Sequence, residues 1–412
     1  MAFGTTNIVD AVVIGAGLSG LSAATQLAKA KKSVVVLEAR DRVGGKTWTV
    51  KHKDGTLDLG GAWMNENTQR SIVRYAREFG LELFPQNTDG DCLLQLEDGS
   101  ARRYPYGEPW PVDQEGVDDL ANIREIIETQ AAKINMRDPA ELPGAENWDK
   151  LSIRTFCDKY AKSEWTKKTL ELWSRIMFGV EPENMSILYF FDYMRSGGSL
   201  AALRSDRSDG SQALRSKQGT QPISKGLAAR LGSAVKLNSP VASVSYSSFR
   251  ADPCVVTTRD GTSYKCKRVI CTVPTTLYKE IEWTPALPSN KLRLVNNTEM
   301  GYYSKVSNVT CIVSMPLTDF IGHLGIRETV LEGTRPVWIN AVSQGARCCH
   351  PGYLIGSSRE FRAHSTCYHL FYCWRTWKKM VSTPSQRKKR AGHQPSFEHI
   401  RSSNGCSSIC CL

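Results

Sequence analysis

The β-branched run Val12-Val13-Ile14 passes directly into Gly15-Ala16-Gly17-Leu18-Ser19-Gly20, after which Leu21, Ala24, Leu27 and Ala28 recur at helical spacing. Strand, glycine turn and helix in that order restrict the chain to a fold that starts with a dinucleotide-binding βαβ unit. Gly15 permits the tight turn out of the strand, Gly17 lets the backbone approach a pyrophosphate, and Gly20 lets the helix pack closely on the strand. Ala16, Leu18 and Ser19 lie between them, at the helix N-terminus, where free N–H groups and the positive end of the helix dipole favour an anion. A second apolar run, Val34-Val35-Val36-Leu37, ends in Glu38. An acid about 20 residues past the glycines is placed to accept hydrogen bonds from an adenosine ribose. The competing reading makes Glu38 the start of a solvated turn.

The text after this acid is more specific. It runs Glu38-Ala39-Arg40-Asp41-Arg42-Val43-Gly44-Gly45-Lys46-Thr47 and then Asp58-Leu59-Gly60-Gly61-Ala62-Trp63. Two further glycine pairs let more backbone come close to an extended cofactor. Here the sequence resembles the flavin-containing amine oxidase family, of the monoamine oxidase type. The resemblance implies an α/β fold: a discontinuous, Rossmann-like FAD-binding domain with an inserted α+β substrate domain. It also implies that Glu38, Ala39, Arg40, Gly44, Gly45, Lys46, Thr47, Gly60, Gly61, Ala62 and Trp63 add contacts to FAD. Lys46 stands where arginine is usual in the family, which keeps the charge but loses the bidentate fork, so a weaker phosphate contact is expected there.

At 412 residues, 41% of them apolar and 23% charged, the chain has the composition of an ordinary globular protein large enough for more than one domain. No run of about 18 apolar residues is present, and the N-terminus has no basic signal region, so no membrane anchor and a cytoplasmic location are expected. The net charge of +12 is unevenly spread. After Val306, thirteen Lys and Arg stand against five Asp and Glu, a surplus of eight that leaves only four for everything before it. A nucleic-acid partner is not expected on that basis, because a basic tail is more often solvated. Five scattered cysteines in the body (Cys92, Cys157, Cys254, Cys266, Cys271) suit reduced thiols.

Along the chain, the spacing of Ile72, Tyr75, Ala76, Phe79 and Leu83 predicts an amphipathic helix over Ser71 to Leu83 that closes the first FAD-binding segment, 8–84. From Gln86 to Asn147, turn residues, prolines and Tyr104-Pro105-Tyr106-Gly107 read as a loop-rich approach to the substrate domain, 85–216. Leu170 to Asp192 is dense in large apolar residues and reads first as core. The resemblance implies that Ile176 and Met177 line a substrate cavity and that Gln212 matches the family's cavity glutamine, with an exposed loop amide as the alternative. The FAD-binding domain then resumes over 217–290. A strand pair over Val235 to Val244 is expected there, then a hairpin around Asp260-Gly261-Thr262 with Val255, Thr257 and Tyr264 alternating on its arms. Val269 to Pro274 reads as a buried strand stopped by proline. The resemblance implies that the backbone of Val241 holds the adenine and that Pro274 lies where the strand edge approaches the flavin.

A second substrate-domain segment begins at 291–306. Its Lys305 would ordinarily be a surface residue; the resemblance implies a catalytic lysine that holds a water against the flavin. The match stops after Val306. Residues 307–412 read as an atypical, poorly packed tail with Cys348-Cys349-His350, the basic run Arg387-Lys388-Lys389-Arg390 and Cys410-Cys411-Leu412, whose spacings fit neither a metal site nor a prenylation box. The abrupt shift in residue usage points to a reading-frame shift or a retained intron.

The functional expectation is an FAD-dependent amine oxidase, with noncovalent FAD because the covalent attachment motif is not visible. It would convert a small amine and O2 to an imine, then to an aldehyde or ketone, with hydrogen peroxide released. Alternatives are a specialised flavin oxidase of secondary metabolism and a flavin-binding remnant without turnover. No metal is expected, and a second copy of the chain is kept as a candidate partner.

Overall fold

The computed structural model of the chain describes residues 8–302 except 53–54, 96–99, 109, 111–112 and 248–251, and beyond them the backbone of six strands. The chain divides into two units. One comprises residues up to Phe84 together with Leu214–Met300, and the other comprises Pro85–Ala213 with the residues from Gly301 onward.

In the first unit, β1 (Val9–Ile14) leads to α1 (Leu18–Lys29) and then to β2 (Val34–Leu37). β1 pairs in parallel with β2 on one side, Val12 opposite Val35, and with the strand Ser263–Cys271 on the other, Val12 opposite Val269. Where a parallel strand is enclosed on both edges and both faces it has no polar side, which is why Ala11–Ile14 is an unbroken apolar run, whereas Asp10, at the half-buried start of the strand, pairs with Lys267 at 2.8 Å. Val12 and Val13 are fully buried, on opposite faces. Val13 joins Leu21 and Ala24 of α1, Val36, and Ile223 and Leu227 of the helix Gln221–Leu231. Val12 and Ile14 join Leu37, Val241, Val244, Val256 and Ile281. The seven-stranded sheet runs in the order Glu282–Thr284, Val241–Ser245, Cys254–Thr258, Ser263–Cys271, β1, β2, Val235–Lys236.

Several local expectations shift by a residue or two. The buried stripe of α1 is Leu21, Ala24 and Thr25, whereas Ala28 is exposed. Thr25 is tolerated inside because its hydroxyl donates to the Leu21 carbonyl at 2.7 Å. The helix expected through Leu83 is Arg70–Glu78; Gly80, at φ 68°, turns the chain, and Leu83 lies in the short strand Leu83–Pro85. The hairpin at Asp260-Gly261 is present, but Val256 and Thr258 face the core, while Val255 and Thr257 are half-buried. Val269 to Val273 are likewise half-buried rather than enclosed. The strand Val235–Lys236 does not pair with Val241–Ser245; the two lie on either side of the intervening sheet. Leu214–Ser216 stays with the first unit because it pairs with Leu83–Pro85 and because Met64 and Leu214 exchange backbone hydrogen bonds.

The second unit is mainly helical where side chains are described. The stretch read as loop-rich contains the hairpin strands Asp91–Gln95 and Ala101–Pro105 and a 20-residue helix, Gln114–Lys133. Its apolar Leu120, Ile123, Ile127 and Ala131 follow the 3.6-residue period, but the prolines and turn residues just before it masked the pattern. Side chains start these helices: Asp113, Ser152, Ser163, Ser186 and Ser199 each accept from an N–H of the first turn. Each such cap contributes about 1 kcal/mol. The core gathers Ile123, Ile127, Phe156, Trp173, Ile187, Phe190 and Phe191. Backbone strands at Val306–Cys311, Val337–Ala341, His350–Ile355, Thr366–Tyr372, Ile400–Arg401 and Ser407–Cys410 extend the hairpin sheet, with Val337–Ala341 parallel to Asp91–Gln95. Cys348, Cys349 and the basic run at 387–390 lie outside the described residues.

Replacing Phe191, which is fully buried, by alanine is expected to lower unfolding stability by about 3–5 kcal/mol in a denaturant titration; a loss below about 1 kcal/mol would mean that this core is not as packed as described. A second expectation concerns Asp206, whose carboxylate accepts from the Tyr106 hydroxyl at 2.9 Å. Burial pushes the carboxyl pKa up, and the Tyr106 bond and Arg204 charge only partly oppose it. The folded chain therefore holds this proton more tightly than the unfolded one. The associated stability is complete below the unfolded carboxyl pKa and is lost as pH rises through the folded value. Asp206→Asn should flatten that decline, so the native chain should lose stability relative to the variant as pH rises in parallel denaturant titrations.

Candidate functional site

The carboxyl ends of β1 and β2 carry the glycine turn and the acid, and both are built by backbone hydrogen bonds. The Gly15 amide donates to the Leu37 carbonyl at 2.8 Å, and the Thr272 amide and hydroxyl donate to the Ile14 carbonyl at 2.9 and 2.8 Å. Gly15 has φ 103°, a region that side-chain-bearing residues avoid, and a Cβ on it would lie 2.9 Å from the Thr272 hydroxyl. A Cβ on Gly20 would lie 2.0 Å from the Gly15 carbonyl oxygen, so helix and turn interlock there.

Glu38 is buried, and its carboxylate binds backbone. Oε2 accepts from the Ala16 amide at 2.7 Å and Oε1 from the Arg40 amide at 3.0 Å. The Glu38 side chain is therefore not solvated, although Ala39, Arg40 and Asp41 directly after it form an exposed bend. The side chain braces the turn, and each oxygen retains a further lone pair for a ligand. Next to it, the Ser239 amide donates to the Glu38 carbonyl and the Asn238 amide to that of Arg40. The chain then enters the strand that begins at Val241, whose side chain packs in the core beside a β-bulge.

The second glycine pair folds over the first turn. The Gly44 amide donates to the Ala16 carbonyl at 2.8 Å, and Gly17 and Gly44 form a parallel bridge. Arg42 stacks on Trp48 at 4.6 Å and donates to the carbonyls of Gly45 and Thr47 at 3.2 and 3.3 Å, holding the loop closed. Burial, then the charge of Arg40, lowers the pKa of this guanidinium. Thr47 is buried, and its hydroxyl is engaged with the Gly44 carbonyl and Ser224, so its side chain fastens the loop to the helix Gln221–Leu231. The third pair rests on the second: the Gly61 amide donates to the Lys46 carbonyl, and a Cβ on Gly60 would lie 1.9 Å from that oxygen. The Lys46 side chain is exposed.

Residues not singled out in the sequence tie these loops together. Asp58 accepts from the Thr220 amide at 3.1 Å and from the Thr49 hydroxyl, while the Thr220 hydroxyl donates to the Gly61 carbonyl at 2.6 Å. Gln221 donates through Nε2 to the Val43 carbonyl at 2.8 Å and accepts through Oε1 from the Thr49 amide. An acid directly before Leu59-Gly60-Gly61 and a Thr-Gln pair at a helix start were the only signals available for this clamp.

Three observations fit a diphosphate-bearing group at this end of the sheet. No side chain caps α1, whose N-cap is Gly17. A Cβ on Gly17 would meet nothing nearer than the Gly45 Cα at 4.0 Å, and one on Gly61 nothing nearer than the Lys46 carbonyl at 4.0 Å, so internal packing does not explain either glycine. The buried indole Nε1 of Trp63 has no hydrogen-bond partner among the described residues. Ala62 is buried, whereas Pro274 is exposed and begins the short helical turn Thr275–Glu280.

The residues expected at a substrate cavity belong to the second unit. Ile176 and Met177 are half-buried in the last turn of the helix Glu164–Phe178, which Gly179 ends in the left-handed conformation. Met177 packs against the core cluster of that unit. Gln212 is half-buried, and its backbone N–H donates to the Ser205 carbonyl. Gly301 and Tyr302 are held at the end of the Ile176 helix, where the Tyr302 amide donates to the Gly179 carbonyl at 2.9 Å. Lys305 lies outside the described residues. Among the described residues no cluster of His, Cys, Asp and Glu could hold a metal, and no helix is long and apolar enough to cross a membrane.

Comparison with known proteins adds to this geometry. The family model for flavin-containing amine oxidoreductases matches residues 18–311. The flavin-containing amine oxidase A of Sus scrofa is 35% identical over 298 residues, covering 72% of this chain and 55% of that protein. A probable flavin-containing monoamine oxidase A of Dictyostelium discoideum is 29% identical over 306 residues, covering 74% and 66%. The chain thus spans about half the length of the mammalian relatives it matches. Among solved structures, a double mutant of putrescine oxidase aligns with a TM-score of 0.75 at 25% identity, covering 92% of this chain and 79% of that one. Cyclohexylamine oxidase from Brevibacterium oxydans shares the fold, with a TM-score of 0.74 at 22% identity.

The two kinds of glycine should separate experimentally. Gly20→Ala is expected to cost about 1–3 kcal/mol of unfolding stability through overpacking. Gly17→Ala should cost about 1 kcal/mol or less, as a change at an N-cap with open space around it. Equal losses in thermal or denaturant unfolding would contradict the distinction.

Proposed function

Because the chain belongs to the flavin-containing amine oxidoreductase family, we propose that it binds FAD noncovalently through its first unit and oxidises a small amine, with O2 reduced to hydrogen peroxide. The observation that carries this reading is the open, uncapped glycine turn at the carboxyl end of β1, braced by Glu38 and overlaid by Gly44 and Gly45. The amides of Ala16 to Gly20 would hold the diphosphate, Glu38 the ribose, and the backbone at Val241 the adenine. Gly45, Lys46, Gly61, Trp63 and Pro274 would lie along the rest of the cofactor, with Arg42, Thr47 and Asp58 keeping the loops in place. Bound flavin supplies a two-electron acceptor for the amine's α-carbon and passes those electrons to O2.

The chain's own share is binding and electrostatics. Ile176 and Met177 would offer an apolar wall, and low-dielectric surroundings would favour the neutral amine, the form that can be oxidised. Gln212 would orient the substrate through its amide, and Lys305 would hold a water close to the reacting centre. The names of the neighbours, putrescine oxidase and cyclohexylamine oxidase, support a small amine as the substrate class. The five cysteines whose side chains are described are free thiols, which supports a reducing compartment such as the cytoplasm.

The test is peroxide release by FAD-loaded protein offered a panel of simple amines, including putrescine, cyclohexylamine and benzylamine. Amine-dependent peroxide is expected from the native chain, and Gly17→Ala, although folded, should bind flavin with a Kd at least about tenfold higher, the equivalent of about 1.4 kcal/mol. Flavin uptake with no peroxide from any amine would reduce the chain to a flavin-binding protein without turnover.

A further inference from the structure

Two of the free cysteines face one another. Cys254 and Cys266 are directly opposed in the antiparallel pair Cys254–Thr258 and Ser263–Cys271. Opposed residues on antiparallel strands place their side chains on the same face, with Cα atoms about 4.5–5.5 Å apart. That separation lies inside the roughly 4.4–6.8 Å range that a disulfide spans. Both residues belong to one apolar cluster, Cys266 fully buried and Cys254 at its half-buried margin.

We propose that Cys254 and Cys266 are a peroxide-reactive pair that closes to a cross-strand disulfide. Their exposures assign the order of events. Cys254 is reached from solvent, and its thiolate sulfur attacks a peroxide oxygen. The O–O bond breaks, hydroxide leaves and takes up a proton as water, and Cys254 is left as a sulfenic acid. The sulfur of Cys266 then attacks the Cys254 sulfur, the S–O bond breaks, and the oxygen leaves as a second water carrying the Cys266 proton. Two thiols and one hydrogen peroxide thus give one disulfide and two waters.

The setting suits these separate roles. Burial first, then interaction with Cys254, pushes the Cys266 thiol up to about 11, which keeps it protonated and unreactive toward peroxide until a neighbouring sulfur is activated. Cys266 also lies opposite Val9 of β1, so the bond would link the outer strand of the hairpin to the strand that abuts β1. Cys271, on the same strand, has its own neighbour in Tyr278 and no cysteine opposite it in the strand pairing. The cellular source of peroxide rests on the amine oxidation proposed above. Peroxide added directly makes the two ideas separable.

The experiment uses the full chain, reduced, desalted and treated with about one equivalent of hydrogen peroxide, then alkylated and digested for mass spectrometry. A disulfide joining the peptides of Cys254 and Cys266 is expected. Both thiols should disappear from the alkylated pool in equal measure, Cys271 should remain alkylated, and dithiothreitol should reverse the change. In Cys266→Ala, the peroxide-treated chain should carry a dimedone-trappable sulfenic acid at Cys254. If that variant does not fold, Cys254→Ser, at the half-buried position, gives the complementary reading, since Cys266 should then stay a thiol. Independent oxidation of the two cysteines, a linkage to any other cysteine, or persistence of both as thiols would overturn the proposal.

Discussion

The Glu38 carboxylate sits between two backbone amides, those of Ala16 and Arg40, and the glycine-turn end of the first unit is organised around that contact. Burying a carboxylate is unfavourable unless its oxygens are hydrogen-bonded, and hydrogen bonds to a charged acceptor contribute about 1.5–3 kcal/mol each. Here the partners belong to two separate turns, one leaving β1 and the other leaving β2. A single side chain therefore sets the spacing of the glycine turn relative to the loop that follows the second strand. The Leu37 carbonyl reinforces this by accepting the Gly15 amide, and the Ala16 carbonyl by accepting the Gly44 amide. The acid proposed to meet a ribose is held in place by its bonds to the backbone.

The glycines around this acid divide by physical role. Gly20 and Gly60 are required because a carbonyl oxygen occupies the space that a side chain would need, and Gly15 also adopts a left-handed conformation. Gly17 and Gly61 have no such internal reason. Room left beside an uncapped helix start suits the approach of an anionic group. The clamp formed by Thr49, Asp58, Thr220 and Gln221 bonds within itself and to the carbonyls of Val43 and Gly61. Its role is to hold three loops from distant parts of the sequence in one arrangement.

Much of this was legible beforehand, for reasons that differ by element. Parallel strand segments buried on both faces have to be unbroken apolar runs, so Ala11–Ile14 of β1 and the run of β2 declare themselves, and Gly15-Ala16-Gly17-Leu18-Ser19-Gly20 allows few conformations. The role of Glu38 was only half visible, because hydrogen bonding to Ala16 and Arg40 leaves no trace in spacing. The helix Gln114–Lys133 was hidden by the prolines that precede it. Thr25 replaced Ala28 on the buried face of α1 because a hydroxyl that bonds back to its own helix behaves as a small apolar group. The Asp58 and Thr220 clamp joins residues far apart in the chain, and no local pattern encodes such a pairing.

The second unit is built by different means, from capped helices around an aromatic core that includes Phe156, Phe190 and Phe191. It carries Ile176, Met177 and Gln212, while the first unit carries the residues suited to a dinucleotide. The most direct measurement of the central claim is a calorimetric titration of the folded chain with FAD and, separately, with FMN, which lacks the adenosine and the diphosphate bridge. Saturable binding of one FAD per chain, with FMN at least about a hundredfold weaker, a gap of 2.7 kcal/mol, is the predicted result. Folded protein that takes up no FAD, or that binds FMN equally well, would contradict the account.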